Sequence, residues 1–344
     1  MPENVIEQIS SELRRTAAEL YPNHGELKNV RLVGHTPKPE HYIYDVVIDF
    51  ADGSERVAAK VYRNGKSGHD ARAKAKTEDH NLRTIYKTFE KRKLSGVPRP
   101  LGDFTDLGAV VTEKFTGVPL QSIIMKAALL PGYADNGTLL VASRLAGEWL
   151  RTFHKVTADM PIPFDSDALM DGLEKVCISC RKEGLDDAAI GNILTGARQL
   201  LNRTKKALPS SAVMNDFTPL DVTVGEKGVG VCDYARMNER GHSFHDVAIF
   251  LASVEALEKY PFCNRTITSQ IQEEFINAYR VSPSEMNVLR VLKMKALLSM
   301  FARGRTVNVK ESAVRKKVMW ATVMKRFIQQ AAQRSLAQPE MQAA

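Results

Sequence analysis

Residues 213–234 read VMNDFTPLDVTVGEKGVGVCDY. Two short β-type runs, Val222–Val224 and Val229–Cys232, flank Gly225-Glu226-Lys227-Gly228, and a polar pair between two glycines predicts a tight reversal. Asp216 precedes this hairpin, Asp221 stands at its entrance and Asp233 at its exit. A hairpin that returns to its start brings Asp221 and Asp233 together, with Asp216 one loop away. Carboxylates held that close repel unless a cation lies between them. Mg²⁺ is the simplest such cation, a hard ion held by one or two carboxylates together with substrate phosphates. The remaining carboxylate could then take a proton from an attacking hydroxyl. The alternative reading of the same residues is three ordinary loop aspartates.

Asp216-x-x-x-x-Asp221, followed after a hairpin by Asp233-Tyr234-Ala235, resembles the catalytic loop and metal-binding aspartate of the aminoglycoside phosphotransferase family. These are small-molecule kinases that share the protein-kinase fold. Their usual string is H-G-D-x-x-P-x-N, then an apolar hairpin, then I-D-[FW]. Here it stands as Met214-Asn215-Asp216-Phe217-Thr218-Pro219-Leu220-Asp221. Met214 replaces a histidine that braces the loop, and Asp221 replaces a metal-ligating asparagine, keeping an oxygen ligand while adding a negative charge. The N-D-F-T-P segment is similar to a variant found in members that phosphorylate sugars or glycans.

Upstream, Val5–Leu20 carries Val5, Ile9, Leu13, Ala17 and Leu20 at helical spacing. Three β-type runs follow, Val30–Val33, Tyr42–Phe50 and Arg56–Tyr62, with Ala51-Asp52-Gly53-Ser54 as a hairpin turn. The Gly34–His41 segment is expected to be a loop, and in a kinase-like lobe such a loop covers ATP phosphates. It holds one glycine and two prolines, so no Gly-rich fingerprint supports that role. Lys60, in Ala58-Ala59-Lys60-Val61-Tyr62, sits inside an apolar run, where a buried ammonium needs a partner. The segment matches the kinase V-A-x-K strand, whose lysine contacts the α- and β-phosphates and pairs with a helix glutamate. The next helical pattern, Ala71–Phe89, offers Glu78, with Asp79 as the alternative. Leu101–Phe104 and Ala109–Glu113 read as strands, and Glu113-Lys114-Phe115-Thr116-Gly117-Val118-Pro119-Leu120 resembles the family's hinge. That resemblance places Thr112, Glu113 and Phe115 beside the adenine, through backbone groups.

Leu139–His154 has strong helical periodicity, and its terminal histidine reads as structural. Asp165–Leu208 reads as helices. Asp246 is a plausible N-cap of the helix after it, where the family's equivalent aspartate ties back to the catalytic loop. His242 and His245 read as solvated loop residues, with substrate contact as the alternative. Ile267–Tyr279, Glu285–Phe301 and Val314–Ala332 read as amphipathic helices, the last with Trp320 and Phe327 on its apolar side.

Across 344 residues, 44% hydrophobic and 26% charged residues describe an ordinary globular protein. No run of eighteen apolar residues and no secretory-signal pattern is present, so a cytoplasmic location is expected. Four cysteines suggest no disulfide framework, and Cys177-x-x-Cys180 reads as two core residues one helical turn apart. The net charge of +8 is concentrated after Ser284, where twelve Lys or Arg face only Glu285, Glu311 and Glu340. Such clustering suits a solvated helix face, an anionic substrate, or weak attraction to anionic surfaces; no specific nucleic acid is expected.

The resemblance thus implies an α+β, bilobal protein-kinase-like fold: an N-terminal helix over 1–28, a β-rich lobe over 29–116 and a helical lobe over 117–344. It implies ATP and Mg²⁺ as cofactors and a small-molecule hydroxyl acceptor. Asp216 would be the catalytic base, Asp221 and Asp233 the metal ligands, and Lys60, Glu78, Thr112, Glu113 and Phe115 the nucleotide-binding residues. The alternative is a nucleotide-binding scaffold without turnover, to which the Met214 and Asp221 departures point.

Overall fold

The computed structural model describes residues 2–64, 70–130, 136–204, 207–226, 228–260, 262–303 and 323–336. The chain forms two compact units, one of Met1–Pro119 with Asp221–Met237, the other of Leu120–Leu220 with Asn238–Ala344. It is a mixed α+β protein, with an antiparallel sheet in the first unit and mostly helices in the second.

In the first unit, α1 (Pro2–Leu20) precedes a four-stranded antiparallel sheet of β1 (Leu27–Pro37), β2 (His41–Phe50), β3 (Ser54–Tyr62) and β4 (Ala109–Glu113), paired in that order. Strand alternation decides what each face meets. Tyr44, Val46, Ile48, Phe50, Val57, Ala59, Val61, Ala109 and Val111 join one apolar core with Ile6, Ile9, Leu13 and Ala17 of α1. Lys60 alternates with Ala59 and Val61 and so points to the other face, toward α2 (Ala71–Lys91). Asp70 caps α2, its carboxylate accepting the Arg72 N–H at 2.9 Å. After the short β5 (Val118–Pro119), the chain returns to this unit as the hairpin β8 (Val222–Gly225) and β9 (Gly228–Val231). Val118 pairs with Val224. That approach is close: a Cβ on Gly225 would lie 2.3 Å from the Thr116 carbonyl oxygen, so only glycine fits.

Two sequence expectations fail here. Gly34–Pro37 is strand, not loop, because it keeps its ladder with Ile43–Asp45 and Tyr42 across a register shift near Val33; only Lys38-Pro39-Glu40 remains as the turn. Leu101–Phe104 is not a strand, since the chain turns into a short 3₁₀ segment at Thr105–Leu107 after a single bridge, Pro100 to Thr112.

The second unit holds α3 (Leu120–Leu129), α4 (Asn136–Val156), β6 (Asp159–Pro163), α5 (Ser166–Lys182), α6 (Asp187–Leu201), β7 (Ala207–Val213) and β10 (Asn238–His242), then α7 (Phe244–Glu255), α8 (Arg265–Tyr279), α9 (Pro283–Arg303) and a helix at Lys325–Leu336. The helical expectation for Asp165–Leu208 therefore ends early, since Leu208 already lies in β7. Cys177 and Cys180 are buried in α5, as core residues. Part of the basic excess is internal. Lys293 meets Glu255 at 2.6 Å, Arg334 meets Glu258 at 2.7 Å, and Lys325 meets Asp186 at 2.8 Å. Phe327 is buried, as its helical face required. Arg305, Arg315, Lys316, Lys317 and Trp320, Lys227 of the hairpin turn, and the start of the expected Val314–Ala332 helix lie outside the described residues.

Candidate active site

The first unit assembles a charged cluster around Lys60. Its Nζ donates to Glu78 Oε1 at 2.9 Å and to Asp233 Oδ1 at 3.1 Å. Glu78 is buried on α2, eighteen residues along, and its second oxygen accepts the Tyr62 hydroxyl at 2.6 Å. Both Glu78 oxygens thus accept, while burial pushes its carboxyl up against the opposing Lys60 charge. Burial acts against the Lys60 charge, but Glu78 and Asp233 outweigh it and hold the ammonium protonated well above the ordinary lysine range. Burial likewise opposes ionisation of Asp233; the Lys60 charge and the Ala235 N–H overcome it and keep that carboxyl below its usual range. Glu78, not Asp79, is the partner: Asp79 is paired with Arg83 at 2.6 Å.

Tyr62 and Asn81 complete this cluster, and the sequence reading missed both. Tyr62 lies two residues after Lys60 on the same strand face, and Asn81 one helical turn after Glu78. The buried Asn81 amide donates to the carbonyls of Tyr234 at 3.0 Å and Met237 at 3.1 Å. One face of α2 therefore holds both Lys60 and the segment after Asp233. The available signal was spacing, i+2 on a strand and i+3 on a helix.

Asp221 stands at the base of the hairpin, where its carbonyl accepts the Cys232 N–H at 3.3 Å. Burial, with the charges of Asp221 and Asp233, raises the Cys232 thiol to about 11. Asp221 and Asp233 both lie within electrostatic range of that thiol. Two carboxylates suit a hard divalent ion that completes its shell with phosphate oxygens. Among the described residues, no group of three or more His, Cys, Asp or Glu is arranged to hold a metal unaided.

Of the hinge residues, Thr112 and Glu113 are committed to the sheet, paired with Ala58 and Val57, and the Glu113 N–H donates to Arg99 at 2.9 Å. Lys114 N–H goes to Arg56 O, also at 2.9 Å. Among the described residues, Phe115 is the first past the strand whose backbone makes no such bond, and its ring packs against Gly230, where a Cβ would lie 2.3 Å from it.

In the second unit, the loop that carries Asp216 is held from beneath. Phe217 is fully buried, stacked between Trp149 at 6.0 Å and Phe250 at 5.7 Å. Met214 is buried too, an apolar residue at the position where the resembling family has a histidine. Asp246 accepts the N–H of Met214 at 2.8 Å and of Asn215 at 2.9 Å, and pairs with His154 Nε2 at 3.1 Å. It lies in the first turn of α7 and is fully buried, so it braces the loop; the expectation of an N-cap fails because its oxygens point at residues 214 and 215. His154 is structural, its Nδ1 facing the Tyr279 hydroxyl at 2.8 Å.

Solved structures share this architecture. A choline/ethanolamine kinase family protein from Mesorhizobium loti aligns over 98% of this chain and 97% of its own, with TM-score 0.52 and 16% identity. The fold is that of protein-kinase-like small-molecule kinases. A thermostable mutant of aminoglycoside phosphotransferase APH(4)-Ia matches with TM-score 0.52 and 14% identity, over 94% of this chain and 100% of its own. The amicoumacin kinase hAmiN, in complex with AMP-PNP, Ca²⁺ and Ami, matches with TM-score 0.51 and 12% identity, over 94% of this chain and 95% of its own. No family model matches the sequence, and no curated protein does.

Proposed function

We propose that this chain is an ATP-dependent phosphotransferase that moves the γ-phosphoryl group to a hydroxyl of a small molecule. The observation that carries the proposal is the Lys60–Glu78–Asp233 arrangement: a buried lysine shared between a helix glutamate and the aspartate that follows the hairpin. The AMP-PNP and Ca²⁺ complex of hAmiN, on the same fold, supports nucleotide and a divalent ion as cofactors.

Lys60, fixed by Glu78 and Tyr62, positions the nucleotide phosphates. The end of β4, at Thr112, Glu113 and Phe115, meets the adenine edge through backbone groups, with Phe115 supplying the free ones. Asp221 and Asp233 hold Mg²⁺, which supplies neutralising charge to the phosphate oxygens. Asp216 orients the acceptor hydroxyl and takes its proton as the new oxygen–phosphorus bond forms, the bond from the γ-phosphorus to its bridging oxygen breaks, and ADP leaves. Phosphoryl transfer of this kind depends on positioning and charge neutralisation more than on covalent chemistry. The basic excess disfavours a cationic acceptor and favours a sugar, a glycan or an anionic metabolite.

The test is ATP turnover with Mg²⁺ or Mn²⁺ over a panel of sugars, amino sugars and amino alcohols, with Asp216→Asn alongside. The expected result is acceptor-dependent turnover that falls by roughly 10²- to 10⁴-fold in the variant. The second reading, a nucleotide-binding scaffold, is favoured by the three-residue β1–β2 turn, which has no glycine. ATP binding without turnover of any acceptor would favour it.

A further inference from the structure

Lys295 of α9 occupies an unusual place in the second unit. Helix α9 packs against α5 and α7. The Lys295 ammonium lies over Gly172 of α5: a Cβ at that glycine would stand 2.6 Å from Nζ and 3.2 Å from Cε. A side chain at 172 would push the ammonium away, so the glycine makes its seat. From α7, His245 comes within electrostatic range of both Lys295 and Asp216. His245 immediately precedes Asp246, whose carboxylate holds the N–H groups of Met214 and Asn215. The lysine is thereby tied, through α7, to the loop that carries Asp216.

Lys295 also stands apart by what it lacks. Among the described residues its ammonium makes no hydrogen bond and no ion pair, whereas Lys293, two residues earlier, is paired with Glu255 at 2.6 Å. It is half-buried, and burial pulls its proton affinity below that of an ordinary lysine. A partly desolvated cation without a counter-ion is costly, and an anionic ligand removes that cost. The same cation repels a positively charged acceptor.

Resting on the phosphotransferase reading above, we infer that the acceptor carries an anionic group, a carboxylate or a phosphate, which Lys295 binds from its seat on Gly172 while Asp216 takes the hydroxyl. The substrate class is then a hydroxylated anion, such as an acidic or phosphorylated sugar.

The experiment measures binding of glucose, glucuronate and glucose 6-phosphate to the full chain in the presence of ADP. It compares wild type with Lys295→Met, Lys295→Arg and Gly172→Ala. One anionic sugar should bind at least tenfold more tightly than glucose, and which one it is separates carboxylate from phosphate. Lys295→Met should erase that preference, Lys295→Arg should keep most of it, and Gly172→Ala should weaken it. Equal affinity of wild type and Lys295→Met for both anions, or glucose binding as tightly as either, overturns the inference. Turnover measured in parallel separates it from the reading beneath. Phosphorylation of neutral or amino sugars that needs Asp216 but ignores Lys295 keeps the phosphotransferase and removes the anionic acceptor. Lys295-dependent anion binding with no ATP turnover keeps the anion site and removes the phosphotransferase.

Discussion

Asp246 accepts the backbone N–H of Asn215 at 2.9 Å, and Asn215 is one of three non-glycine residues among those described with a positive φ, at 62°. The left-handed backbone places Asp216 directly after a bend that costs free energy for most L-residues, asparagine among the least. A fully buried carboxylate with three partners holds that bend. Asp246→Ala would leave His154 and two backbone N–H groups without their acceptor. We expect it to destabilise the protein by about 3–5 kcal/mol and to lower the turnover number more than nucleotide affinity. Chemical denaturation and steady-state kinetics measure the two effects; an unchanged midpoint would show that Asp246 does not brace the loop.

Glu78 fixes Lys60 from within the first unit, and its side chain is nearly inaccessible. Glu78→Gln keeps the shape but removes the charge. A hydrogen bond to a charged group contributes about 1.5–3 kcal/mol, so kcat/KM for ATP should fall by roughly 10- to 100-fold. Tyr62→Phe removes the bond to the other carboxylate oxygen and should cost less. If both variants kept full kcat/KM, the lysine would be positioned by Asp233 alone.

Asn81 offers a test of the link between α2 and the segment after Asp233. Asn81→Ala leaves the Tyr234 and Met237 carbonyls unpaired in a buried place, at a cost of about 1–3 kcal/mol. Asn81→Asp should be worse, since it sets a carboxylate against both carbonyls and near Glu78. Metal-dependent ATP affinity should weaken with stability in both variants. Loss of stability with unchanged ATP affinity would make Asn81 a packing residue only.

The order of the parts was legible in the sequence, and their supports largely were not. Lys60 and Glu78 could be paired through the resemblance of their strand to the kinase V-A-x-K pattern, with Asp79 left as the alternative until the structure paired it with Arg83. The hairpin could be read from its glycines, although Gly225 serves a close approach to Thr116 while the turn's positive φ falls at Gly228, at 113°. β7 and β10 went unseen: Pro209-Ser210-Ser211 and Glu239-Arg240-Gly241 carry no apolar alternation, and it is pairing that makes them strands, β7 with both β10 and β6. Asp246 sits at a helix start, where local rules name a cap. Its true partners, Met214 and Asn215, lie more than thirty residues earlier, and spacing alone cannot reveal them.

His24 gives a pH dependence of stability. Its ring stacks on Phe50 at 4.6 Å, and its nitrogens face Glu55 at 2.9 Å and Asp52 at 3.2 Å. Those hydrogen bonds raise its pKa above the ordinary value of 6.5. A raised folded-state pKa gives stability that is fully present below the unfolded pKa and is lost as pH rises through the folded one. The melting temperature should therefore decline from about pH 6.5 upward, and His24→Gln should flatten that part of the profile. A wild-type profile matching the variant's would remove His24 from the account.

Asp221 tests the proposed metal pair, because the resembling family carries asparagine there. Asparagine keeps an oxygen ligand and removes one negative charge from the base of the hairpin, within electrostatic range of the Cys232 thiol. Asp221→Asn should therefore retain ATP turnover, with a shifted preference between Mg²⁺ and Mn²⁺. Asp221→Ala removes the ligand altogether and should cost on the order of a hundredfold in kcat/KM, about 2.7 kcal/mol of transition-state stabilisation. Turnover and divalent-ion titrations of the two variants settle the point by their difference. If asparagine abolishes activity as fully as alanine, the charge is what matters at 221, and the oxygen-ligand role fails.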